Sequence, residues 1–191
     1  MAIADQVQRI AAPLRRWART QEREYTNGEE RPLAGDLGAR GVYLGVVSAA
    51  AAAVRASGRE LPERIPFGDA LLLTVGTFRL ARRLAKDPVT SPLRAPFTRF
   101  QGASGHAEVA EEVRVHGGTR HAVGELLTCP FCLAQWVGTG FVFGYITAPR
   151  ATRLAALTMT MVAGSDVLQF AYDAIQNGGP PENTEGVDEG E

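Results

Sequence analysis

The sequence predicts an all-α fold: a small multi-span helical membrane protein with three to four transmembrane helices, preceded by an N-terminal amphipathic helix. Three observations carry this expectation. Uncharged apolar stretches recur along the chain, the apolar residues near its start fall at helical spacing, and basic residues alternate between dense and sparse segments. At 191 residues, one domain with tails is the default, and a core of this size needs neither disulfide nor metal merely to fold. The expected organisation is a basic amphipathic helix and linker over 1–36, a helical membrane domain over 37–175, and an acidic disordered tail over 176–191.

From Ala4 to Glu24, Val7, Ile10, Ala11, Leu14, Trp17 and Ala18 recur at steps of three and four, with Arg9, Arg15, Arg16, Arg19 and Arg23 between them. Such a helix suits the headgroup region of an anionic membrane, or packs on the rest of the protein, and Pro13 should kink it. No secretory signal pattern opens the chain. Asn27-Gly28, Arg31-Pro32 and Gly35 then break the helix.

Four apolar segments follow. Gly41 to Val54 is uncharged for fourteen residues, about 21 Å of helix against a hydrocarbon core of roughly 30 Å, so it spans only if Arg40 and Arg55 snorkel. Pro66 to Leu84 is interrupted by Asp69 and Arg79, and alone reads as an amphipathic helix. Leu126 to Pro149 is uncharged for twenty-four residues and meets the length criterion for a span outright. Leu154 to Ala174, interrupted by Asp166, follows a short connection that suits an antiparallel pair. The mean hydropathy of −0.08 is diluted by polar tails and a long central loop.

If all four cross, seven Lys and Arg fall before the first segment and eight between Arg79 and Arg120, fifteen against five in the two short connections. That bias places both termini and the loop in the cytoplasm of an inner membrane. The single Lys and the many Ala and Gly suggest a bacterial coding sequence. In the central loop, Asp87 to Glu125, the prolines at 88, 92 and 96 stop the preceding helix. Phe97 and Phe100 interleave with Arg94 and Arg99, which fits a segment resting on headgroups or a loop packed over the helices. Gln101 to Gly118 reads as a short solvated helix, and no stretch alternates as strands do.

The only cysteines form Cys129-Pro130-Phe131-Cys132, where the polar loop meets the longest uncharged stretch. Pro130 suits a first helical turn, and a helix start there would stabilise a thiolate at Cys129. A tetrahedral zinc site needs four ligands. His116 and His121 give a His-x4-His-x7-Cys-x2-Cys arrangement, and a second copy of the chain offers two further thiols. Alternatives are disulfide exchange, with Cys129 attacking and Cys132 resolving, and plain packing of two small residues. Asp69, Arg79 and Asp166 are costly in hydrocarbon unless paired. Structural pairing is expected at Arg79 and Asp166, and Glu125 is either a partner to a metal ligand or part of a helix start. Gly140 and Gly144 mark a close-packing or dimer face.

The stretch Phe78-Arg79-Leu80-Ala81-Arg82-Arg83-Leu84 with Asp87 and Thr90-Ser91-Pro92-Leu93-Arg94, then Gly124-Glu125-Leu126-Leu127-Thr128-Cys129-Pro130-Phe131-Cys132 with Trp136, resembles the uncharacterised bacterial family catalogued as domain of unknown function 1360. The similarity covers about Pro66 to Ala174. It implies a small helical membrane protein of about three spans with no established activity, and adds Asp87 and Arg94 to the structural pairing expected of its motif residues.

No Walker loop, Rossmann fingerprint, nucleophile elbow or His-Glu-x-x-His occurs, and no nucleic-acid module is present. The expected function is therefore a structural or assembly role in the membrane, with a Cys-Pro-x-Cys site at the cytoplasmic face able to hold zinc. Its partners would be lipid and a second membrane chain across the Gly140 and Gly144 face. A membrane thiol oxidoreductase and a soluble or peripheral helical interaction domain are the alternatives.

Overall fold

The computed structural model describes residues 33–114 and 118–177, together with Ala12, Pro13, Arg16, Trp17, Thr20, Gln21, Glu24 and Tyr25. Those eight isolated positions are helical, and Thr20 donates to the Arg16 carbonyl one turn back. The rest of the predicted N-terminal helix and of the linker up to Pro32, His116, and the acidic tail from Gly178 lie outside the described residues, whereas 33–36, expected as linker with Gly35 as a breaker, are helical.

Six helices and one hairpin are described: α1 (Leu33–Ala56), α2 (Phe67–Lys86), a 3-10 turn (Pro88–Thr90), α3 (Ser91–Arg94), β1 (Thr98–Gly105), β2 (Glu108–Val113), α4 (Gly118–Thr128), α5 (Pro130–Thr147) and α6 (Pro149–Asn177). The alanine-rich run of α1 has no internal breaker and stops at Gly58, whose φ of 66° supplies the left-handed residue that ends a helix. Asp87-Pro88 stops α2, as the residue before a proline avoids helical geometry.

The small antiparallel sheet departs from the expectation of a solvated helix over Gln101–Gly118. Gly102 and Gly105 take φ of 129° and 151°, values open to glycine alone, and Ala107 has φ 56°. These positions bend the chain back so that Thr98 pairs with Val113 and Phe100 with Glu111. The sequence signal was weak because the register slips twice, between Phe100 and Gly102 and between Ala103 and Gly105, breaking the alternation that announces a strand.

Among the described residues two helices are long and apolar enough to cross a membrane, Leu37–Ala56 and Pro149–Asn177, and only 6% of each apolar window is buried within the protein. The Leu126–Pro149 stretch is not one straight span. Pro130 has no N–H to donate and Cys129 before it is extended (φ −99°, ψ 106°), so α4 and α5 meet at an angle of 82° and count as a third span only as a bent pair. By length and composition two or three of the expected spans qualify on their own; α2 carries too much charge to qualify and could cross only inside the bundle, among the other helices.

Instead α2 is the central helix. Ala81 and Ala85 are buried against Leu133 of α5, with Leu84, Leu126, Leu127, Ala134 and Val137 around them. Gly76 lets the α6 backbone approach, since a Cβ there would lie 3.1 Å from both the Cα and the carbonyl oxygen of Ala156. Helices α2 and α6 run the same way, as Asp69 meets Arg153 and Arg79 meets Asp166. Helix α5 runs opposite, with Gly138 beside Thr77 and Tyr145 bonded to Asp69. The hairpin, α4 and the start of α1 thus gather at one end, where Gly35 touches Ala122 and Gly124 faces Val113.

Five helix threonines are satisfied locally. Thr74, Thr139, Thr147, Thr152 and Thr158 each donate to the carbonyl four residues back. Such back-bonding removes the cost of a bare hydroxyl in an apolar setting.

Candidate functional site: a thiol groove beside a buried arginine clamp

The clamp begins where α2 ends. Asp87 accepts the Val89 N–H at 2.8 Å, and Thr90 donates to the carbonyls of Arg83 and Asp87, so the chain turns sharply and delivers Arg94 inward. The Arg94 side chain is fully buried. Its Nε and Nη2 reach the two Glu111 oxygens at 2.8 and 2.9 Å, a bidentate pair, while Nη1 reaches the Leu84 carbonyl and Thr90, and Nη2 also reaches the Asp87 carbonyl and Ser91. Ser91 and Thr98 hydroxyls complete the ring around Glu111.

Burial pushes the Glu111 carboxyl up, but the hydrogen bonds from Arg94, Thr98 and Ser91 and the Arg94 charge outweigh it and hold the group below the ordinary glutamate value. A depressed folded value contributes stability that is present above the unfolded value and lost as pH falls through the folded one. Protease protection of the hairpin should therefore weaken below about pH 4. In Glu111→Gln the hairpin is expected to be uniformly less protected, with that acid-dependent step gone; an unchanged acid step in the variant would refute the assignment.

The groove lies on the other side of α4, a cavity of about 630 Å³ among α1, α4 and α5. Arg40 and Tyr43 come from α1, Glu125 from α4, and Cys129, Cys132, Gln135 and Trp136 from the elbow and α5. Tyr43 packs edge-on against Trp136 with ring centroids 5.1 Å apart, and its hydroxyl meets Thr139 at 2.8 Å and receives the Gln135 amide at 2.6 Å. Both cysteines are free thiols, and Cys129 Sγ accepts the Cys132 N–H at 3.2 Å, capping α5.

Among the described residues no three His, Cys, Asp or Glu side chains converge as a metal site. His121 Nε2 lies 3.4 Å from Glu125 Oε1, and His116 is outside the described residues. The structure does show what the Cys129 sulfur does. Cys129→Ser keeps an N-cap acceptor, whereas Cys129→Ala removes it, a loss of about 1 kcal/mol. Thermal unfolding in detergent should rank Ser close to the parent and Ala below; equal loss in both would show that a sulfur-specific contact matters.

Of the remaining candidates, Arg79 Nε and Asp166 Oδ2 are brought together at 2.9 Å, pinning α2 to α6. Asp87 engages Arg94 through its carbonyl and Arg83 through its carboxylate. Gly144 is covered by Thr152 of the same chain and Gly140 is open, so the expected partner face is half occupied internally. Sequence reasoning missed Glu111, whose role depends on the hairpin. It also missed the pairing of Asp69 with Arg153 (3.0 Å) and Tyr145 (2.6 Å), for which the only signal was an acid inside an apolar segment.

Both the clamp and the thiol elbow fall inside residues 72–172, which match the family model described as "Protein of unknown function (DUF1360)". The chain belongs to this family. Sporulation protein YjcA of Bacillus subtilis (strain 168) is 28% identical over 102 residues, 52% of this chain and 86% of that relative. No solved structure matches the chain. Within the DUF1360 region, the motif Asp87…Thr90-Ser91-Pro92-Leu93-Arg94 builds the clamp and Cys129-Pro130-Phe131-Cys132 builds the elbow.

Proposed function

We propose that this DUF1360 protein is a multi-pass inner-membrane protein with a structural or assembly role, its hairpin, thiol groove and both termini on the cytoplasmic side. The observation that carries this is the contrast between outer and inner helices. The apolar exteriors of α1 and α6 are unburied, while the charges of the central helix are matched by Arg153, Asp166 and Glu108. A water-soluble bundle would bury the first and expose the second. The side assignment takes α2 as a fourth crossing inside the bundle, and rests on the fifteen-to-five basic bias that four crossings give together with the clustering of the hairpin and helix ends at one end.

Alkaline carbonate extraction tests the membrane reading: the protein should stay in the pellet, and release to the supernatant would point to a peripheral or soluble domain. Labelling of Cys132 by an impermeant maleimide in inverted, but not right-side-out, vesicles is expected from the side assignment.

A second reading, thiol exchange at the elbow, draws on one observation: both thiols open on the same groove. Trapping a mixed disulfide at Cys129 in a Cys132→Ser variant would favour it over the structural role.

A further inference from the structure

We infer that the layer built from α3, the hairpin and α4 lies flat in the headgroup region of the bilayer, with Phe100 and Phe131 in contact with lipid. This rests on the membrane reading above and adds an interaction surface to it.

The 82° elbow supplies the geometry. If α5 runs along the membrane normal, α4 must run nearly in the membrane plane. Gly124 packs on Val113, so β2 is carried in the same layer, and the Arg94–Glu111 clamp ties α3 to it. This layer sits where the apolar parts of the helices end: α2 terminates at Lys86 and α5 begins at Pro130.

Exposure gives the second argument. Val89 in the 3-10 turn, Leu93 in α3, Phe100 in β1 and Phe131 just past the elbow are 76%, 64%, 70% and 89% exposed. Phe131 is the second residue of α5 and is continuous with the apolar exterior of that helix. Charge gives the third. The acids of β2 are taken up within the chain, Glu108 by Arg82, Glu111 by Arg94 and Glu112 by Gln101. Arg99, Arg114 and Arg120 have no carboxylate partner among the described residues. Aromatic and apolar side chains beside unpaired arginines suit the headgroup boundary of an anionic bilayer.

The test places one tryptophan at a time in the full chain carrying Trp17→Phe and Trp136→Phe, reconstituted in vesicles of phosphatidylglycerol and brominated phosphatidylcholine. Phe100→Trp and Phe131→Trp should be quenched at least twofold more by bromines near the headgroup than by bromines near the bilayer centre. Val46→Trp, on the exposed side of α1, should show the reverse order. Deep quenching at Val46→Trp with Phe100→Trp and Phe131→Trp unquenched by lipid but quenched by aqueous iodide would overturn the flat placement alone. Shielding of both from lipid and iodide would overturn it in favour of a protein contact. No lipid quenching at Val46→Trp would overturn the membrane reading itself.

Discussion

Arg94→Ala is expected to cost about 3–5 kcal/mol, because it leaves the Glu111 carboxylate buried with its charge unpaired. In a chain of this size that corresponds to a fall in unfolding midpoint on the order of 10 °C. The loss should be local first, since the clamp and the more exposed Arg82–Glu108 pair are what tie α3 and β2 to the end of α2. Trypsin cleavage after Arg99 and Arg114 should accelerate before the helices melt. Arg94→Lys should rescue little: one ammonium cannot reach both Glu111 oxygens, two carbonyls and two hydroxyls. Arg94→Met with Glu111→Leu should recover most of the stability, because the pair is strongly non-additive once neither charge is stranded. A loss under about 1 kcal/mol for Arg94→Ala would mean that water or a rearranged side chain replaces the guanidinium, and would defeat the account of the clamp.

Gly76→Leu is the second large effect. Even a Cβ at this position would stand 3.1 Å from the Ala156 backbone, and backbone cannot swing aside as a side-chain tip can. The α2–α6 crossing must widen, at about 1–3 kcal/mol for overpacking. It also stretches the contacts on either side of the crossing: Thr160 to the Leu72 carbonyl, Arg153 to Asp69, and Arg79 to Asp166. Gly144→Ala should cost less, about 1 kcal/mol: its Cβ would stand 2.6 Å from the Thr152 hydroxyl, which must turn away and give up its bond to the Ala148 carbonyl. Thermal unfolding and cross-linking between cysteines placed at Leu73 and Leu157 would read the separation. A Gly76→Leu protein as stable as Gly144→Ala would show that the helices do not touch as described.

The helices were legible because their signals are local. The apolar lengths of α1 and α6 and the prolines at 66, 88, 130 and 149 act within a few residues of where they stand. The Arg79–Asp166 contact was legible for a related reason: a charge in an apolar helix must find an opposite charge, and few were on offer. The hairpin was not, because its strands are short, its register slips, and its polar residues resemble those of a solvated helix. With the hairpin unseen, Glu111 had no reason to be chosen over Glu108 or Glu112 as the partner of Arg94.

The cysteines divide the two kinds of information most clearly. Sequence alone determined that the only thiols stand at a helix start beside a proline, while it read Leu126 to Pro149 as one span with no break between two helices. Only the tertiary structure decided that the chain breaks there at nearly a right angle, that α1 closes a groove over the thiols, and that the described His, Cys, Asp and Glu side chains do not converge into a metal site. The physical reason is range. Backbone sterics and capping act over a few residues and leave their mark in the sequence. Which arginine meets which carboxylate is fixed by where distant elements pack.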